Sequence, residues 1–138
     1  MARQNQTAIQ SVPTADDSQI HTAIPVVLNI LDKWQCTEEE KRALLGQLPR
    51  SSFYRLQKTP QSVRVTVDLA DRLAYLLNIH AGLRLILSDP ESVYGWVRRP
   101  NDHVWFRGRS AMEIMASGRM EDLIDVFRHI DAARGGWW

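Results

Sequence analysis

The sequence predicts an all-α fold, and three observations carry that prediction. Apolar residues recur at helical spacing in segment after segment. Ser, Thr and Asp stand where helices should begin. No alternation of apolar and polar residues lasts more than a few positions, so no substantial strand is expected. The elements follow in chain order, without an internal repeat.

Residues 1–22 are rich in Gln, Asn, Ser, Thr and Asp. Such a segment cannot bury enough apolar surface to offset its ordering entropy, and a flexible arm is expected. In IPVVLNILDKW, residues Ile24, Val27, Leu28, Leu31 and Trp34 share one helical face. Pro25 suits a first-turn position, where its missing N–H costs nothing. Thr37 and Glu40 form a T-x-x-E capping box that opens the next helix. Ala43, Leu44 and Leu48 form its apolar side, and Gly46 and Pro49 end or bend it. A short helix then runs from Ser51 or Ser52 to about Lys58, and TPQSVRV reads as an extended connector.

A long helical zone covers about 68–87, with Leu69, Leu73, Leu76, Leu77 and Leu83 on one side and Ile79, Leu85 and Ile86 on others. A helix this apolar belongs at the centre of a core or an interface. Asn78 to Gly82 is a candidate break within it. Ser88-Asp89-Pro90 restarts the chain, with Val93, Trp96 and Val97 on one face, and RRPND turns it. Ser110 caps AMEIMAS, which Gly118 closes. A last helix from Met120 to about Ala133 has Met120, Leu123, Phe127 and Ile130 in register, before the RGGWW end.

The two short helices around Leu44-Leu45-Gly46 form a helix-turn-helix pattern, whose second helix enters the DNA major groove. In that second helix Phe53 and Leu56 fall on one side, while Ser51, Tyr54, Arg55 and Lys58 fall on the other. Arg55 suits a paired contact to guanine, Ser51 a phosphate or base contact, and Lys58 a phosphate contact. Arg50, Ser52, Tyr54 and Arg64 extend this polar, locally basic surface. An amphipathic helix with a merely solvated outer face is the simpler reading of the same pattern.

Composition sets the outer bounds. The chain has 138 residues, with 17 basic and 16 acidic side chains and a net charge of +1. That charge makes no global case for nucleic acid, so any such case rests on local clustering. One cysteine, Cys36, forms no intramolecular disulfide; beside Trp34 it reads as a small half-buried hydrophobe. No apolar run reaches the ~18–20 residues of a membrane span, and the N-terminus has no apolar signal region. A soluble, cytoplasmic protein is expected, with no membrane partner. His21, His80, His103 and His129 lack ligand-like spacing, so neither a metal nor another cofactor is expected. His80 is expected to be an ordinary helix residue with one hydrogen bond. Glu38, Glu39 and Glu40 complement the dipole of a helix start. Nucleophile-elbow, phosphate-loop and dinucleotide motifs are all missing, and an enzyme is not expected.

Several residues together resemble one family. They are Leu44-Leu45-Gly46, RSSFYR from Arg50, RLAYLLNI from Arg72, Trp96, the Pro100-Asn101 turn, Phe106-x-Gly108-x-Ser110, Met112 to Met115 and Gly118. The ordered set is similar to the Xre/MbcA/ParS antitoxins, partners of RES-domain toxins, over about residues 30–136. Ala111 departs from the family, which usually has Pro after the Ser; Ala also suits a helix start.

The resemblance implies an Xre-like helix-turn-helix half, residues 23–88, and a small helical toxin-binding half, residues 89–138. It implies a type II antitoxin that covers the active-site cleft of a toxin degrading NAD or transferring ADP-ribose from it. It further implies binding to operator DNA for autorepression, and a homodimer within a toxin–antitoxin hetero-oligomer. On this reading Arg107, Arg109 and Arg119 pair with acidic groups of the toxin, the simpler alternative being that these charges are only solvated. Met112, Met115 and Met120 offer a soft contact surface, although methionines at helical spacing are more often core. The GGWW end lies past the shared pattern. Its two indoles follow a Gly-Gly hinge and, with Arg134, are expected from their chemistry as interface anchors. Arg134, Gly135, Gly136, Trp137 and Trp138 are thus expected to dock on the toxin, the alternative being that the tryptophans fold back onto their own domain. The competing expectation is a free-standing transcriptional regulator whose C-terminal half only dimerises.

Overall fold

A computed structural model of the chain describes residues 16–135. Among them are seven α-helices and two short 3₁₀ turns, with no strand. Helix α1 is Asp17–Lys33. Its first six residues, 17–22, fall inside the expected arm. Asp16 accepts from the Gln19 N–H while the Gln19 side chain accepts from the Asp16 N–H, a capping box written in polar residues that composition alone assigns to a loop. Pro25 therefore lies inside α1 rather than in its first turn. It sits on the exposed face of α1, where its ring removes one i→i−4 hydrogen bond from the helix.

Helix α2, Glu38–Leu44, starts at the expected Thr37/Glu40 box. Leu44 and Leu45 are the deeply buried pair at its end, each 1% exposed. Gly46 follows at φ 108°, a left-handed conformation that a side chain resists, and Gln47 continues the turn at φ 58°. Helix α3, Arg50–Lys58, is next, with Phe53 and Leu56 buried. The expected extended connector instead folds a 3₁₀ turn at Pro60–Ser62, where the Thr59 carbonyl accepts from the Ser62 N–H. His21 of α1 lies 2.8 Å from the Val63 carbonyl, fastening that connector to α1.

Helix α4, Val67–Ile86, is continuous over 20 residues, and the expected break at Asn78 to Gly82 does not occur. Gly82 serves packing instead. A Cβ there would stand 2.7 Å from the Cγ2 of Ile130, so glycine is what lets α4 and the last helix approach. Helix α5, Pro90–Gly95, is capped by Asp89 and runs into a 3₁₀ turn at Trp96–Arg98. Helix α6, Ala111–Met115, starts with a Ser110/Glu113 capping box, and α7 is Met120–Ala133.

Helix α4 packs most extensively against α7 and also against α1 and α5. One hydrophobic core therefore runs from Ile24 through Leu76 and Leu83 to Met112 and Ile130. His80 does not make the expected hydrogen bond. Its ring stacks on Tyr94 at 5.2 Å, its Nδ1 is buried without a partner, and Lys33 covers Tyr94 from α1. Burial lowers the His80 pKa, with Arg84 and Lys33 adding to the effect.

Candidate functional site

Two surfaces carry the residues singled out by sequence. On the first, α2, the Gly46 turn and α3 form a bent pair whose inner faces are Leu44, Leu45, Phe53 and Leu56. Burying such side chains contributes roughly 1.5–3 kcal/mol each, enough to hold α3 in place. Ser51, Ser52, Arg55 and Lys58 stand on the exposed side of α3. Its first turn has no acidic residue, and Pro49 supplies no side-chain cap. The backbone N–H groups there are open to an acceptor, as at phosphate-contacting helix ends.

Arg50 and Tyr54 are engaged within the chain. The Glu38 carboxylate accepts from Arg50 Nε at 3.0 Å and from Tyr54 Oη at 2.9 Å. That hydrogen bond raises the Tyr54 pKa. The sequence assigned Glu38 only to the helix dipole; its second task, holding two side chains of the next helix, depends on how the corner folds.

The second surface is the C-terminal unit. Arg107 and Arg109 are exposed on the loop before α6, and Arg109 Nε donates to the Phe106 carbonyl at 3.0 Å. Arg119 pairs with Glu121 at 2.7 Å, and Arg134 with Asp131 at 3.2 Å, both at the surface. Gly135 is exposed, and Gly136, Trp137 and Trp138 lie outside the described residues. Met112 and Met115 take the core alternative and do not form a contact surface: each is 1% exposed. On the five-residue helix α6, Ala111, Met112, Ile114 and Met115 all turn inward, so the methionines support the surface from below.

Two arginines to which the sequence assigned no role join the halves. Arg72, 6% exposed, donates to the Leu44 and Gly118 carbonyls and pairs with Asp68. Arg98 pairs with Glu40 and donates to the carbonyls of Trp34 and Gln35. Hydrogen bonds from Arg98 lower the Glu40 pKa. Cys36 nearby is half-buried, and desolvation pushes its thiol up to about 12, which leaves it protonated and unreactive.

Among the described residues, no group of three or more His, Cys, Asp or Glu side chains is arranged to hold a metal ion. No helix there is long and apolar enough to cross a membrane.

Residues 15–78 match the antitoxin Xre-like helix-turn-helix domain. Residues 82–136 match the antitoxin Xre/MbcA/ParS C-terminal toxin-binding domain. The two matches meet inside α4, the helix that both halves use as their core. An uncharacterized protein, y4oB, of Sinorhizobium fredii (strain NBRC 101917 / NGR234) is 32% identical over 126 residues, covering 91% of this chain and 95% of that protein. With a buried helix-turn-helix corner and a toxin-binding unit on one shared helix, the chain belongs to the Xre/MbcA/ParS family of toxin–antitoxin antitoxins.

Proposed function

We propose that the chain neutralises a RES-domain toxin by covering its active-site cleft with the C-terminal unit, and represses its own operon through α3. The observation that carries the toxin reading is the match of residues 82–136 to a toxin-binding domain, on a unit that presents Arg107, Arg109, Arg119 and Arg134 to solvent. The toxin would degrade NAD or transfer ADP-ribose, and the inhibition is stoichiometric occlusion without catalysis by the antitoxin. The exposed Ser51, Ser52, Arg55 and Lys58 support operator binding, with a homodimer matching a two-fold operator.

Growth of cells expressing the neighbouring toxin gene, with and without this chain, tests the first activity. Failure to restore growth, together with failure to co-purify, would refute it. Removing residues 135–138 tests whether the tail docks on the toxin; undiminished inhibition would exclude that contact. Titration of operator and random DNA over a range of salt tests the second activity. Each phosphate neutralised on duplex DNA contributes about −0.9 to the log–log slope, so a flat profile would exclude α3 as a DNA-binding helix.

A further inference from the structure

The loop joining the Trp96–Arg98 turn to α6 is closed on itself. Asn101 N–H donates to the Arg109 carbonyl at 3.1 Å, and Gly108 N–H donates back to the Asn101 carbonyl at 3.1 Å. Within it, Phe106 N–H donates to the His103 carbonyl at 2.9 Å, and the Asn101 side chain accepts from His103 N–H at 2.8 Å. Phe106 is fully buried. Trp105 stacks on His129 of α7 with ring centroids 4.2 Å apart. The loop is thus fastened at its mouth by backbone and to the body by two aromatic side chains.

What this fastened loop holds outward is unusual. Val104 is 82% exposed, more than any other exposed large hydrophobic residue described. Arg107 is exposed at φ 55°, a left-handed conformation that glycine would adopt without strain. Non-glycine residues kept in such conformations cluster at binding and catalytic sites, where the surrounding structure over-determines them. A loop held closed at both ends that displays an apolar group and a cation has already met much of its ordering cost before it binds.

We propose that the 101–109 loop is a pre-built anchor for the toxin, with Val104 entering an apolar socket and Arg107 meeting a carboxylate beside it. The proposal rests on the toxin-binding reading above, since the loop lies within residues 82–136. A second copy of this chain is the alternative occupant, and sedimentation of the same variants without toxin addresses it.

The test titrates the toxin purified from the chain's own operon, made inactive at its catalytic site, against the full chain and three variants. Val104→Asp and Arg107→Gly are each expected to bind about tenfold more weakly or worse. Val104→Asp should melt as the parent does, because the side chain is solvent-exposed. Arg107→Gly should melt at or above the parent, because glycine relieves the left-handed backbone. Weaker binding from an equally or more stable chain is a result that a merely structural role would not give. Val67→Asp, which changes an 80% exposed valine in the other half, should bind as the parent does. Parent-like binding by both loop variants overturns the anchor and leaves the antitoxin reading intact. Loss of self-association by the loop variants with unchanged toxin binding assigns the loop to a second copy and also overturns the proposal. No binding by the parent chain overturns both readings.

Discussion

Arg72 Nη2 donates to the carbonyl of Gly118 at 2.9 Å, across 46 residues of sequence. The same guanidinium reaches back to the Leu44 carbonyl at 3.4 Å. One side chain of α4 therefore joins the end of α2, where the helix-turn-helix corner begins, to the turn between α6 and α7. Gln47, in that corner, donates from Nε2 to the Ser117 carbonyl at 3.1 Å and makes a parallel link. The helix-turn-helix and toxin-binding units share a fixed geometry.

Replacing Arg72 by leucine should expose how much that link matters. The substitution keeps the apolar stem and leaves buried carbonyls without a donor, at about 1–3 kcal/mol for each group left unsatisfied. A loss of about 2–4 kcal/mol by chemical denaturation is expected. Asp68→Asn should cost less than about 1 kcal/mol, because Asp68 sits at the exposed end of the pair. Equal losses from the two variants would place the stabilisation in the ion pair instead of the carbonyl contacts.

Gly82→Ala should destabilise although alanine is the better helix former by about 1 kcal/mol. The added Cβ would meet Ile130 Cγ2, and a β-branched side chain in a helix has little rotamer freedom to withdraw. A net loss of about 1–3 kcal/mol is expected. Combining it with Ile130→Leu, which removes that branch, should recover part of the loss in a double-mutant cycle. Simple additivity would show that the two helices do not meet there.

Acid should weaken the fold in two stages. His80 and His129 have pKa values lowered by burial, with neighbouring charges contributing. The unfolded chain binds their protons first, so the neutral rings favour the fold fully above about pH 6.5, and that contribution falls as the pH drops towards the folded values. The Glu40 pKa is lowered mainly by hydrogen bonds from Arg98. Its contribution is present above the ordinary carboxylate value of about 4.3 and is lost as pH falls through the folded value. Glu40→Gln should flatten only the lower stage in urea titrations taken at several pH values. His129→Gln should flatten only the upper one.

At the recognition corner, Arg55→Ala should cost about 1–3 kcal/mol of operator binding and relax sequence preference. Lys58→Ala should weaken operator and random DNA alike and reduce the salt slope by about 1. Glu38→Gln should act in the opposite direction. It removes the carboxylate that holds Arg50 and Tyr54, so DNA affinity should rise, most at low salt. An unchanged Glu38→Gln variant would mean that Arg50 does not face the duplex.

Much of this architecture could be read directly from the chain. The Thr37/Glu40 and Ser110/Glu113 boxes mark helix starts because a cap is a local bargain between residues three apart. Phe53 and Leu56 read correctly as the inner face of α3 because their spacing alone decides which side they share. The polar box of Asp16 and Gln19 was hidden by the composition around it, and α1 begins earlier than expected as a result.

Local pattern therefore determined which segments are helical, where most of them begin, and which face of α3 turns outward. Tertiary structure decided the rest. It kept α4 unbroken because packing against α1, α5 and α7 outweighs the weak helix propensity of Gly82. It drew Met112 and Met115 into the core, and made Arg72 of α4 and Arg98 of the Trp96–Arg98 turn into bridges between the halves. The physical reason is range. Caps and periodicity act within a turn or two of chain, whereas burial and hydrogen bonding to a distant carbonyl exist only once both partners have been brought together.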